Sequence, residues 1–161
     1  MRKCYKIILT IIPSLILLGC ATKSKNISFK HLKKPDKPSY FLMCPKGKCN
    51  IDPNSKSPCF NVSREQLISV WQKMIKDQSR YNLLIDRKFH KQYVQRSYIF
   101  NFPDYITVQF YAINGHSSTI ALLSFAKYGY YDFGVNEARV TKLMKQLYKT
   151  LPICNLVYSK T

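Results

Sequence analysis

Four runs rich in Ile, Val, Tyr and Phe, each closed by turn residues, follow one amphipathic helical stretch and precede another. That pattern predicts an α+β fold, a four-stranded antiparallel sheet packed against two helices in a single domain. The length agrees, because 161 residues less a leader of 19 leave 142, enough for one domain with a core and short of two typical ones. Cysteine usage agrees as well. Cys44, Cys49, Cys59 and Cys154 lie beyond the leader and form an even set able to brace a small exported fold.

The leader comes first. Arg2, Lys3 and Lys6 precede an apolar stretch from Ile7 to Leu18 that is twelve residues long and carries Pro13. A membrane span needs about 17 to 25 residues, so the stretch reads as a signal peptide over residues 1–19. It ends in Leu17-Leu18-Gly19-Cys20, which resembles the bacterial lipobox. The resemblance implies cleavage before Cys20, a diacylglyceryl thioether on its sulfur and a palmitate-type acyl group on its amine. Two or more chains anchor firmly, which makes the membrane a partner through the lipid. The expected location is the bacterial cell envelope, facing the periplasm, and Ala21 in place of Asp favours the outer membrane over the inner. An ordinary signal peptide cut elsewhere, or an uncleaved anchor, is the alternative.

Residues 20–43 read as the lipidated N-terminus and a basic flexible tether, polar, interrupted by Pro35 and Pro38, with few large apolar residues to bury. Lys30, Lys33, Lys34 and Lys37 either add attraction to an anionic bilayer, on the order of 1 kcal/mol each, or belong to a solvated spacer. The folded domain is placed at residues 44–161. From Cys44 to Pro58 the chain contains Pro45, Gly47 and Pro53 and reads as a loop pinned by its cysteines.

Ser63 followed by Gln66 makes a capping box for a helix from Arg64 to Gln78. Leu67, Ile68, Val70, Trp71, Met74 and Ile75 form its apolar face, which makes Trp71 a core residue rather than a ligand-stacking one. Strands are expected at Tyr81–Asp86, Gln92–Phe100, Tyr105–Ile113 and Thr119–Ala126. Pro103-Asp104 separates the second from the third, and Asn114-Gly115, within a loop that includes His116 and Ser117, joins the third to the fourth. A last helix from Glu137 to Thr150 turns Val140, Leu143, Met144, Leu147 and Leu151 inward, with Asn136 placed to cap it.

The chain carries 26 basic and 8 acidic residues, a net charge of +18. Loss of Arg2, Lys3 and Lys6 lowers the basic count by three and the net charge to +15. Such a field draws anionic envelope components and is sensitive to salt, whereas nucleic acid is excluded outside the cytoplasm. An AT-rich coding bias toward Lys is the plainer origin of the charge. Four cysteines allow three pairings; Cys44 with Cys49 and Cys59 with Cys154 are favoured, the second tying the two ends of the domain. His31, His90 and His116 raise a zinc site as a rival, but the spacings match no ligand pattern, and neither metal nor cofactor is expected.

The stretch Ser124-Phe-Ala-Lys-Tyr-Gly-Tyr-Tyr-Asp-Phe-Gly-Val-Asn-Glu-Ala-Arg139 resembles the pattern Arg-Ser-x-Ser-Arg-x-Gly-x-x-Asp-x-Gly-x-Asn-x-x-Arg of the bacterial domain-of-unknown-function family numbered 1499. Ser124, Lys127, Gly129, Asp132, Gly134, Asn136 and Arg139 fall in register. Cys44-Pro45 and Cys49-Asn50 resemble the family's Cys-Pro and Asn-Cys elements, with slightly different order and spacing. The chain departs from the pattern at Leu123, Ala126 and Lys127, where the family has Arg, Ser and Arg. If those side chains grip an anion, the lost guanidinium and hydroxyl weaken that grip. The resemblance implies no reaction.

Gly129 and Gly134 suit backbone conformations closed to other residues and bracket Asp132 in a sharp strand-to-helix connection. Asn136 is placed to satisfy free amides there, and Arg139 to reach back toward Asp132. The segment is thus either a structural turn or an anion pocket flanked by Lys127 and Arg139. Glu137 opposes the second reading by already complementing the helix dipole. Tyr128, Tyr130 and Tyr131 offer a stacking surface or ordinary packing.

No nucleophile elbow, His-Glu-x-x-His or phosphate-cradling loop is present, so no catalytic residue is assigned. Asp104, Asp132 and His116 make a thin case as acid, base and orienter. The expected function is that of an envelope lipoprotein acting as a noncatalytic binding or structural module at the membrane surface. The alternatives are a hydrolase or transferase working on an envelope component, and an assembly part that offers a patch to another envelope protein.

Overall fold

Alternation of inward and outward side chains along β-rich segments requires a sheet with one face in a core, and the chain builds one with both faces covered. The computed structural model describes residues 27–97 and 101–154. The leader, Cys20 and the first residues of the expected tether lie outside the described residues, as does the end of the expected second strand. Among the described residues no helix is long and apolar enough to cross a membrane.

In chain order the elements are β1 (Tyr40–Cys44), β2 (Ser55–Lys56), α1 (Arg64–Lys76), β3 (Tyr81–Arg87), β4 (His90–Arg96), β5 (Pro103–Ala112), β6 (Ser118–Ala126) and α2 (Val135–Thr150). Among the described residues the sheet has six strands, not four, in the order β2-β1-β6-β5-β4-β3. The four expected strands form an antiparallel meander from β3 to β6. The two additional strands extend it past β6: β1 pairs antiparallel with β6, Leu42 opposite Leu123, and the short β2 runs parallel to β1. Pro103 opens β5 instead of preceding it, a position where its missing N–H is tolerated.

This corrects the reading of residues 27–43 as tether. Phe29 and Leu32, set among lysines, are buried, and a 3-10 turn at Phe29–His31 lays them on the sheet. They close a second core with Leu42, Cys44, Ala121 and Leu123 on the face away from the helices. The helix-side core gathers Phe60, Trp71, Ile106, Val108, Phe110, Ile120, Leu143 and Leu147. Trp71 is fully buried, and its indole N–H donates to the Tyr93 hydroxyl at 3.2 Å. Burial pushes that phenol up to about 12.

The capping box at α1 forms as expected: the Ser63 hydroxyl accepts from the Gln66 amide, and the Gln66 side chain accepts from the Ser63 amide. In the β5–β6 loop the Asn114 side-chain oxygen accepts from the amides of His116 and Ser117, at 2.8 and 2.7 Å, which makes a side-chain turn. Both disulfides are present in the favoured pairing, Cys44 with Cys49 at a Cα separation of 6.4 Å and Cys59 with Cys154 at 5.3 Å.

Candidate functional site

Asn136, Arg139, Val140, Leu143 and Leu147 follow one another at helical spacing along the buried stripe of α2, so its first turn carries two polar side chains into the interior. A buried polar group is stable only when hydrogen-bonded, and here each finds partners. The Arg139 guanidinium donates through Nε to the Gln95 side-chain oxygen at 2.7 Å. Through Nη1 it donates to the Ser124 hydroxyl at 2.9 Å and to Asn136 Oδ1 at 2.7 Å, and through Nη2 to the Asp104 carboxylate. Asn136 donates through Nδ2 to the Ser39 carbonyl at 3.0 Å and to Asp132 at 2.6 Å. The Ser124 hydroxyl donates to Asn136 Oδ1 at 2.7 Å.

The cluster therefore joins β4, β5, β6, α2 and the residue before β1. It is a clamp that fixes the start of α2 on the sheet. Two roles change. Asn136 does not cap α2, because it lies inside the helix; the N-cap is Gly134, at φ +79°, and the capping carboxylate is Asp132. Asp132 accepts from the Gly134 amide at 3.2 Å and the Asn136 amide at 2.8 Å. Arg139 does not reach Asp132 but pairs with Asp104, with 8% and 15% of the two side chains exposed.

These partners occupy the groups that an anion pocket at this turn needs. The N-cap Gly134 and first-turn Asn136 amides are held by the Asp132 carboxylate, the Val135 amide donates to the Asp132 carbonyl, and the guanidinium is held by Asp104. Lys127 is exposed and sits over the Tyr128 ring at 5.2 Å instead of joining Arg139. Of the two readings of this turn, the geometry supports the structural one. The catalytic grouping does not assemble either: Asp104 and Asp132 are engaged at one end of the sheet, while His116 lies in the loop beyond Ala112. Asp104 and Ala112 are about 27 Å apart along β5, at about 3.4 Å per residue.

The clamp carries a feature that residue spacing did not reveal. Between β6 and α2 the chain exposes Tyr128, Tyr130, Tyr131 and Phe133, with Val135 at the start of α2, and Phe102 from the neighbouring loop packs on Tyr128 with ring centroids 5.7 Å apart. Phe133 is 98% exposed and left-handed at φ +52°. Its backbone lies between Gly129 at φ +86° and Gly134 at φ +79°, in a turn that Asp132 closes by accepting from the Gly134 and Asn136 amides. The three tyrosines are visible in the sequence; the exposure of Phe133 depends on which way the turn faces.

On the opposite face of the sheet, residues 27–35 leave two hollows that share Ile27 and Ser28 as a wall. One, of about 490 Å³, is largely apolar, lined among others by Leu32, Tyr105, Leu123 and Phe125. The second, of about 480 Å³, is bordered by Lys30, Arg87, Lys88 and His90. Among the described residues, no three His, Cys, Asp or Glu side chains come together as a metal site.

No curated protein and no solved structure matches the chain. One family matches residues 21–147, a span that contains every member of the clamp and the whole aromatic loop. On that match the chain belongs to the family described as Protein of unknown function (DUF1499).

Proposed function

We propose that this chain is a lipid-anchored protein of the bacterial envelope that works without catalysis, as a module seated on a membrane surface. In this reading Cys20 bears the lipid and the loop from Tyr128 to Val135 is the part that meets the bilayer. The observation that carries it is Phe133, 98% exposed in a turn whose Asp132 carboxylate accepts from the Gly134 and Asn136 amides. Tyrosine and phenylalanine suit the region between headgroups and acyl chains, where one end of a ring is apolar and the other wet. The only carboxylate from Lys127 to Val135 is Asp132, and it faces inward onto the helix amides, so the outward groups are aromatic, aliphatic and cationic.

Two measurements test the reading. Mass analysis of protein isolated from bacterial cells is expected to find diacylglycerol on Cys20 at a new N-terminus; an intact leader overturns the anchor. The chain from Ala21 onward keeps every described contact, and it is expected to sediment with phospholipid vesicles. Phe133→Ser and Tyr131→Ser, each outside the buried clamp, are expected to weaken that binding at least several-fold. Vesicle binding unchanged in the double variant overturns membrane docking; loss of a protein partner in the same variant favours an assembly role for the patch.

A further inference from the structure

Strand register sets three side chains in one row across the sheet, Arg87 on β3 opposite His90 on β4, and His90 opposite Gln109 on β5. The row faces away from the helices, where Lys30 overhangs it from the N-terminal segment and Lys88 flanks it from the β3–β4 turn. Three fixed cations and an imidazole thus border one hollow, and none of its lining residues is a carboxylate. Asp86, next to Arg87 in sequence, is held by Lys91, and Glu65 on α1, which acts on Lys88, is paired with Arg64.

His90 supplies the second, independent observation. It is 93% buried, and its Nδ1 lies 3.2 Å from the Gln109 side-chain oxygen, while the other ring nitrogen, Nε2, is buried with no hydrogen-bond partner among the described residues. A buried polar atom left unmatched costs free energy unless something completes it. We propose that this hollow is a binding site for a phosphate group, with Arg87, Lys30 and Lys88 supplying charge and His90 Nε2 supplying a directed hydrogen bond. The site is separate from the turn before α2 and does not rest on the membrane-docking reading.

With Nδ1–H donating to Gln109, Nε2 carries a hydrogen only in the imidazolium. Burial and Arg87 both disfavour that form in the empty site, so an incoming phosphate brings a proton with it. The titratable or charged groups lining the hollow are Arg87 on β3, Lys88 in the turn, Lys30 on the overlying segment and Tyr111 on β5; beyond them, on α1, Arg64 packs over the Phe89 ring and Glu65, paired with Arg64, acts on Lys88. As the pH falls, proton uptake by His90 favours binding while loss of the phosphate's second charge opposes it, so the contribution of His90 is read as the difference between the wild-type and His90→Gln pH profiles.

The test is calorimetry on the full chain in a neutral detergent, with inorganic phosphate in one arm and dihexanoyl phosphatidic acid in the other. Arg87→Gln with Lys88→Gln is expected to weaken binding tenfold or more, as is His90→Gln, which also changes the pH profile to that of the phosphate's own ionisation. Lys142→Gln with Lys145→Gln removes the same charge outside the hollow, on exposed positions of α2, and is expected to leave affinity unchanged. Equal binding of both probes identifies free phosphate as sufficient, and binding of the lipid alone identifies a headgroup. No binding of either probe, or equal weakening by both charge-removing pairs, overturns the site. The Arg87 and Lys88 variants keep the test decisive if His90→Gln fails to fold.

Discussion

Arg139 has all three guanidinium nitrogens engaged inside the protein, so its removal leaves the Asp104 carboxylate, the Ser124 hydroxyl oxygen and the Gln95 amide oxygen without that donor, and Asn136 Oδ1 with the Ser124 hydroxyl alone. Breaking a buried pair from one side is costly because the remaining charge stays desolvated. Arg139→Met is therefore expected to lose about 3 to 5 kcal/mol in urea unfolding followed by Trp71 fluorescence. Adding Asp104→Leu is expected to recover part of that loss, since the second substitution removes the stranded charge; a fully additive double variant argues against the coupling. His90 gives a prediction of opposite origin. Burial is the largest influence holding its imidazole below the ordinary value of 6.5, ahead of the opposing Gln109 hydrogen bond and of Arg87. As the pH falls through 6.5 the unfolded chain takes up a proton before the folded one does. Stability in phosphate-free buffer is then full above that value and declines from about pH 6.5 toward the lower folded value, a slope that His90→Gln flattens.

The two helices begin by different chemistries. At α1 the signal is local, a hydroxyl and an amide side chain three residues apart, and sequence suffices to place it. At α2 the cap is Asp132, two residues before a left-handed glycine, and Asn136 goes instead to the interior. The spacing of Asn136 and Arg139 with Val140, Leu143 and Leu147 marks both as inward-facing, and that signal was available in the sequence. It gives no indication that Asp104 and Gln95, from two strands, complete the cluster. Asp132→Ala is expected to cost about 1 to 2 kcal/mol in thermal unfolding. It is also expected to weaken vesicle binding although Phe133 is still present, because the loop loses the bonds that set its direction. Vesicle binding equal to wild type would separate the cap from the docking role.

At the scale of the molecule, two disulfides and two apolar layers hold one sheet. The Cys59–Cys154 bridge closes a separation of 95 residues and Cys44–Cys49 one of 5. In the chain-entropy account, replacing the long bridge by serines loses about 4 to 5 kcal/mol and replacing the short one about 2. Denaturant midpoints in that order support the account, and equal losses contradict it. The sequence by itself determined the two helices and the four-strand meander, because helical period and turn residues are properties of neighbours along the chain. Tertiary structure alone decided that β1 and β2 extend the sheet, that Phe29 and Leu32 cover its second face, and that Arg139 pairs with Asp104. It also set Arg87, His90 and Lys30 around one hollow. These contacts join residues far apart in the chain, as when Leu42 meets Leu123, and their energy comes from desolvation and pairing on a surface that exists only once the sheet has formed.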